Sequence, residues 1–172
     1  MDIPRRFLQG FTIVELLIVI VVIGILATIT VTIYNGVQIR SQDAKRAQDI
    51  SSIKKALLAY DAMYGGVPQT GVYGGNGVGG WDNSSRTNWI NFLNSGFGPM
   101  PRDSINTITN TDANGDFPGD PGERVYFYYC YPSSSLVETG KPTISLGYRA
   151  AQTDVIVRTN FIVQSCLTAL PS

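Results

Sequence analysis

An apolar run dominates the first third of the chain. Every residue at positions 16–27 is apolar or glycine, and isoleucines and valines continue the run between threonines. As a helix, residues 13–34 would span roughly 33 Å, enough to cross the hydrocarbon core of a bilayer. Arg5 and Arg6 precede the run, and a positive flank of this kind stays on the cytoplasmic side. Because the run ends in alternating threonines, a poor site for signal peptidase, the pattern predicts a membrane helix that the mature protein retains.

Glu15 is the one strongly charged side chain between Phe11 and Ile39. An unpaired carboxylate near the bilayer centre costs about 2.5 kcal/mol or more. Two interpretations stay open: the side chain reaches the membrane interface, or it has a cationic partner inside a protein assembly. Cleavage after Gly10 would create such a partner, the new amino terminus of Phe11 on a neighbouring chain.

The pattern becomes amphipathic over residues 37–64. Apolar and aromatic residues recur there at spacings of three and four, which predicts a helix with one buried face formed by Ile50, Ile53, Leu57, Tyr60 and Tyr64. Charged residues are predicted on its other faces, namely Arg40, Asp43, Lys45, Arg46, Asp49, Lys54 and Lys55. Gly65 and Gly66, with Pro68 shortly beyond, predict the end of this helix.

The remainder of the chain is rich in turn residues and predicts β-structure. A short helix over residues 88–94 is expected to place aromatic side chains on the core. Strands are predicted over residues 124–131, 143–149 and 154–161, and residues 162–167 are expected to extend the last one. A small antiparallel sheet of three or four strands packed on the amphipathic helix gives an α+β fold class.

Composition disfavours most enzyme classes. The chain has no histidine, which excludes Ser-His-Asp and Cys-His catalysis and histidine-bound zinc. Its 13 basic and 13 acidic residues balance, so no electrostatic attraction to nucleic acid is implied, and nucleic-acid binding stays undecided. The chain is therefore predicted not to be an enzyme.

Residues 10–17 read GFTIVELL, and with the apolar run behind them they resemble the N-terminus of type IV pilins and the related pseudopilins. The resemblance implies that a prepilin peptidase cuts after Gly10, that the new N-terminal Phe11 is N-methylated, and that Glu15 pairs between subunits. The implied function is that of a structural subunit of a type IV pilus-like filament, used in adhesion, twitching motility or DNA uptake. The alternatives are a pseudopilin of a secretion or competence system, and a membrane-anchored surface binding domain or minor tip pilin.

The resemblance also implies an organisation for the chain, the lollipop of a pilin. Residues 1–10 would be a cleaved basic leader, 11–36 a transmembrane and filament-core helix, 37–64 the amphipathic helix, and 65–172 a globular head. The precursor would span the cytoplasmic membrane once with its head outside, and the assembled pilus would lie on the cell surface. The implied partners are the prepilin peptidase, further copies of the chain in a helical filament, and a separate ATPase, since the sequence lacks a phosphate-binding Gly-x-x-x-x-Gly-Lys-Ser/Thr loop.

The two cysteines, Cys130 and Cys166, lie late in the chain. An even pair in a protein with a membrane-targeting segment predicts a disulfide in an oxidising compartment, with two buried thiols as the alternative. By resemblance, the bridge parallels the C-terminal disulfide loop of many pilins.

A calcium site is a further hypothesis. Residues 112–123 read DANGDFPGDPGE, which places oxygen-bearing side chains at positions 1, 3, 5, 9 and 12 of an EF-hand-like loop, namely Asp112, Asn114, Asp116, Asp120 and Glu123. Position 6 is Phe117, where the sharp turn of such a loop needs glycine. Two hypotheses stay open: a structural calcium ion, the one cofactor considered, or a solvated acidic loop.

Overall fold

The structure is a computed structural model that describes residues 11–70, 81–108, 121–134 and 136–171. Its elements are one long helix, one very short helix and six strands, in the order α1 (Ile13–Tyr64), β1 (Val67–Pro68), β2 (Asp82–Asn83), α2 (Asn94–Phe97), β3 (Tyr126–Ser134), β4 (Lys141–Arg149), β5 (Ile156–Ile162) and β6 (Cys166–Leu167). A long apolar N-terminal helix followed by a small antiparallel sheet confirms the α+β prediction.

The chain divides into two units, Met1–Ile39 and Arg40–Ser172, close to the change in pattern predicted at residues 36–37. Helix α1 contributes to both units. It begins at Ile13 rather than at Phe11, and it ends at Tyr64 as predicted. Gly65 ends it in a left-handed conformation, with φ of 73°, and its N–H donates to the Asp61 carbonyl at 2.9 Å. Glycine adopts this conformation without the steric cost of a Cβ.

The second unit contains a four-stranded antiparallel sheet in the order β2-β3-β4-β5. The three predicted long strands are present, but β3 and β5 each begin two residues later than predicted. Before β5, Asp154 adopts a left-handed φ of 54° and the Ala150 N–H donates to the Val155 carbonyl at 2.9 Å. This turn delays the strand, because a residue with positive φ does not fit a β-ladder.

The prediction that residues 162–167 extend the last strand is wrong. Strand β5 ends at Ile162, and β6 pairs in parallel with β1, with Val67 opposite Cys166. Two contacts redirect the chain: the Val163 N–H donates to the Pro142 carbonyl at 3.1 Å, and the Gln164 N–H donates to Asp61 Oδ1 at 2.9 Å. The last residues therefore pair beside the end of α1 instead of continuing the sheet.

The core forms between one face of α1, the sheet and the segment before α2. The predicted stripe is buried at Ile50, Ile53, Leu57 and Tyr60, whereas Tyr64 is 44% exposed and stacks on Tyr60 with ring centroids 4.4 Å apart. Tyr64 occupies the last residue of α1, where the chain turns away. The predicted helix over 88–94 is replaced by turns and a 3₁₀ turn before α2, yet its apolar side chains are buried as expected, namely Trp89, Ile90, Phe92 and Leu93.

Candidate processing and assembly site

Thr12 and Glu15 form a capping box at the start of α1. The Thr12 N–H and the Thr12 hydroxyl each donate to Glu15 Oε2 at 2.8 Å. In return, the Glu15 N–H donates to Thr12 Oγ1 at 3.3 Å. This reciprocal arrangement satisfies backbone N–H groups that the first helical turn leaves without partners. The spacing that produces it, threonine followed three residues later by glutamate, is a sequence signature of a helix start.

The capping box changes the interpretation of Glu15. The carboxylate in the apolar segment accepts two hydrogen bonds from its own chain, a possibility that neither sequence-based interpretation considered. Hydrogen bonding of a polar group reduces the cost of placing it in apolar surroundings. Phe11, the predicted N-methylation site, is 83% exposed beside this cap, and Gly10 lies outside the described residues. The roles of Gly10, Phe11 and Glu15 in processing and assembly stay predictions.

The first unit presents an apolar surface that its own fold does not cover. From Ile13 to Val37 the large apolar side chains are about half exposed or more. Thr28 and Thr30 donate their hydroxyls to the carbonyls of Gly24 and Leu26, at 2.9 and 2.8 Å, so these polar groups are satisfied within the helix. Among the described residues, α1 is the one helix that is long and apolar enough to cross a membrane, as judged by length and composition.

Comparison with protein families matches residues 5–31 to the prokaryotic N-terminal methylation motif. The chain carries the prepilin signature of type IV pilins and pseudopilins. The signature implies processing by a prepilin peptidase and a membrane-anchored precursor. Neither the curated proteins nor the solved structures contain a match to this chain.

Arg46 is the centre of a buried ionic network in the second unit. Arg46, predicted on an exposed face, has only 2% of its side chain exposed. Its Nε and Nη2 donate to the two carboxylate oxygens of Asp103 at 2.5 and 3.1 Å, and its Nη1 donates to Asp43 Oδ1 at 2.9 Å. Arg46 lies four residues before Ile50, so it continues the buried stripe by one helical turn. That spacing was the signal that sequence reasoning missed.

Asp43 connects the same network to the turn after β4. The N–H groups of Ala151 and Gln152 donate to its two carboxylate oxygens at 2.7 and 3.0 Å. Burial opposes ionisation of Asp43, but these two amides and Arg46 outweigh it and hold the pKa of Asp43 below its ordinary value of 3.8. Burial likewise opposes the charge on Arg46, yet Asp103 and Asp43 raise the pKa of its guanidinium. Both groups are therefore stabilised in their charged forms.

Cys130 and Cys166 are joined by a disulfide, with 5.8 Å between their Cα atoms. The bond connects β3 to β6, and β6 pairs with the segment that follows α1. A hydrogen bond acts at the same place, because the buried Tyr128 hydroxyl donates to the Pro68 carbonyl at 2.6 Å. The disulfide thus ties the C-terminal residues of the chain to both the sheet and the end of the helix.

The calcium hypothesis is not tested by the described residues. Asp112, Asn114, Asp116 and Asp120 lie outside them, and Glu123 is buried at the end of that segment. Within the described ranges, no group of three or more acidic or cysteine side chains is placed to hold a metal ion. Calcium binding by residues 112–123 stays a prediction.

Proposed function

We propose that the mature chain, beginning at Phe11, is a structural subunit of a type IV pilus-like filament. The observation that supports this best is the exposed apolar surface of α1 between Ile13 and Val37, most of which lies within the prepilin signature at residues 5–31. Such a surface must be covered by lipid or by other copies of the same helix. A filament of bundled helices covers it outside the membrane, so one segment serves as the anchor before assembly and as the filament core afterwards.

Glu15 has a defined role in this proposal. In the single chain, its carboxylate accepts two hydrogen bonds from the uncharged N–H and hydroxyl donors of Thr12. In the filament, it would exchange at least one of them for the Phe11 ammonium of a neighbouring subunit. The ammonium adds a full opposite charge to this hydrogen bond, and the attraction between two full charges is strong in apolar surroundings, so the exchange favours assembly. The capping box keeps Glu15 satisfied in the membrane until that partner arrives.

The proposed location follows from the charges around the helix. Arg5 and Arg6 would hold the leader in the cytoplasm, where it is cut, and the head would lie outside the cytoplasmic membrane. Adhesion, twitching motility or DNA uptake would then be performed by the assembled pilus, which a separate ATPase extends and retracts. A pseudopilin of a secretion or competence system would share the processing but would not form long surface pili.

The first test is the N-terminus of the protein taken from the cells that produce it. Intact mass and N-terminal sequencing are expected to give a chain that starts at N-methylated Phe11. A chain that starts at Met1 in those cells would refute the proposed processing and would leave a membrane-anchored binding domain.

The second test is assembly. Mechanical shearing of the cells is expected to release filaments that contain the mature chain as the main component. Glu15→Gln is expected to lose these filaments while the processed protein accumulates in the membrane. Thr30→Val, which alters a polar group in the same helix without removing a charge, is the matched control and is expected to assemble normally. Filaments with Glu15→Gln in normal amounts would contradict the pairing role.

A further inference from the structure

One side of α1 in the second unit borders an open groove of about 550 Å³. Helix residues Ser52, Lys55, Ala56 and Ala59 form one wall, at spacings that place them on a single face. Phe97 and Met100 lie opposite, and Phe97 is 37% exposed. The groove is therefore mostly apolar, and Lys55 is its one charged lining residue within the part of the chain that the structure describes.

A second exposed apolar feature lies at the turn between β3 and β4. We name residues 136–140 the hairpin tip. Leu136 and Val137 are 44% and 47% exposed, and Glu138 follows them directly. The Glu138 carboxylate is 2.8 Å from Lys141 Nζ, and both side chains are about half exposed. An exposed ion pair of this kind contributes little, so Glu138 can exchange its partner at small cost.

The groove and the hairpin tip lie at different positions along the axis of α1 in the second unit. Near the start of β3, the Tyr126 hydroxyl donates to Asp49 on α1 at 2.7 Å. Further along the same strand, Cys130 is bonded to Cys166, which pairs with Val67 beyond the helix end. Strand β3 therefore runs toward the C-terminal end of α1, and its last residue, Ser134, lies at most about 13 Å beyond Cys130 at ~3.3 Å per residue, with the tip following it. The groove flanks α1 before that end.

We infer that the hairpin tip of one copy of this chain docks in the groove of the next copy. Leu136 and Val137 would cover the apolar walls, and Glu138 would pair with Lys55. The contact joins two different surfaces, so it is heterologous. Heterologous contacts build an open helical filament when successive copies do not close into a ring. The inference rests on the proposed filament and specifies a contact between its heads.

The test is cross-linking of the full-length protein in filaments on the cells that produce it. The double variant Ala59→Cys with Val137→Cys is treated with a short bis-maleimide, which does not react with the native disulfide. The expected result is a ladder of covalent multimers in denaturing gels, with little from either single variant. Ala59→Cys with Val155→Cys is the matched control, because Val155 is a valine in the turn between β4 and β5 and is 58% exposed, somewhat more than Val137. This control is expected to give no ladder.

Charge reversal provides a second measurement if the cysteine variants assemble poorly. Lys55→Glu and Glu138→Lys are each expected to reduce filament yield by up to about fivefold, and their combination is expected to restore it. Normal filaments that give no ladder would overturn the contact and leave the proposed function standing. If the wild-type cells form no filament, the proposed function fails. Cross-linking of the purified full chain in detergent at high concentration then still tests the contact. The proposed contact would also be overturned if the variant that combines both charge reversals has a folded head but does not recover the wild-type filament yield.

Discussion

Replacing Arg46 with methionine is expected to destabilise the head severely. Arg46 is the centre of a network in which both Asp103 oxygens and one Asp43 oxygen accept its hydrogen bonds. The Asp103 side chain is fully buried, so water cannot replace the lost guanidinium. The substitution keeps most of the side-chain volume, and its effect therefore reports the uncompensated carboxylate rather than a cavity.

The magnitude follows from the burial of this pair. Removing one partner of a buried ion pair costs about 3–5 kcal/mol. For a domain of this size, 1 kcal/mol corresponds to roughly 3–5 °C in Tm, so a loss of roughly 10–20 °C is expected. The Asp103 carboxylate keeps one hydrogen bond, from the Ile105 N–H at 2.9 Å, which is why we do not expect complete unfolding.

The assay is thermal unfolding of the full chain in detergent, followed by near-ultraviolet circular dichroism. Its tryptophan signal reports the head, because both tryptophans of the chain, Trp81 and Trp89, lie there. Lys45→Met is the matched control, since Lys45 is the exposed neighbour of Arg46 and is expected to change Tm by less than about 2 °C. Arg46→Met combined with Asp103→Leu is expected to be more stable than Arg46→Met alone. A Tm of Arg46→Met within a few degrees of the wild type would refute the reasoning.

Four further predictions concern the same domain. The pKa of Asp43 is lowered in the folded state, so its contribution to stability is present above its unfolded pKa and is lost as pH falls through the folded pKa. The Tm of the wild type is therefore expected to decrease below about pH 4. The decrease is expected to be less steep in Asp43→Asn, which lacks the titrating carboxyl group. Gly147→Ala would place a Cβ 2.2 Å from the Val157 carbonyl oxygen. It is expected to lower the free energy of unfolding, measured by denaturant, by at least about 1–3 kcal/mol. Gly96→Ala is the control and is expected to be tolerated, because its added Cβ would meet no atom within 4 Å. The two cysteines of the disulfide are 36 residues apart, so its reduction is expected to lower the free energy of unfolding by about 3–4 kcal/mol. If residues 112–123 bind calcium, chelation of the ion is expected to lower Tm. A Tm that chelation leaves unchanged would contradict the calcium hypothesis.

Local features of the sequence predicted the long helix α1 well. The run of apolar residues and the spacing of Ile50, Ile53 and Leu57 depend only on helical periodicity, which is a property of neighbouring residues. The helix end at Gly65 was equally legible, because glycine tolerates the left-handed conformation that ends a helix. The prepilin signature is likewise a contiguous stretch, residues 5–31, and needs no tertiary structure to be recognised.

Features that depend on distant parts of the chain were missed or misassigned. Arg46 was placed on an exposed face because a charged residue is rarely buried without a partner, and its partner Asp103 lies 57 residues away. Strand β6 was joined to β5 because nothing in its own residues indicates pairing with Val67. In both cases, the partner that determines the position of the residue or strand lies on a distant element of the chain.

The sequence alone predicts a prepilin signature, a long N-terminal helix with an apolar first half, and a small β-rich head. Those properties follow from periodicity, from composition and from a contiguous motif. The burial of Arg46 between two carboxylates and the position of the C-terminal strand beside the helix end follow only from the packing of distant elements. Hydrogen bonds and ion pairs are directional and short in range, so which groups satisfy one another is settled by how the elements pack.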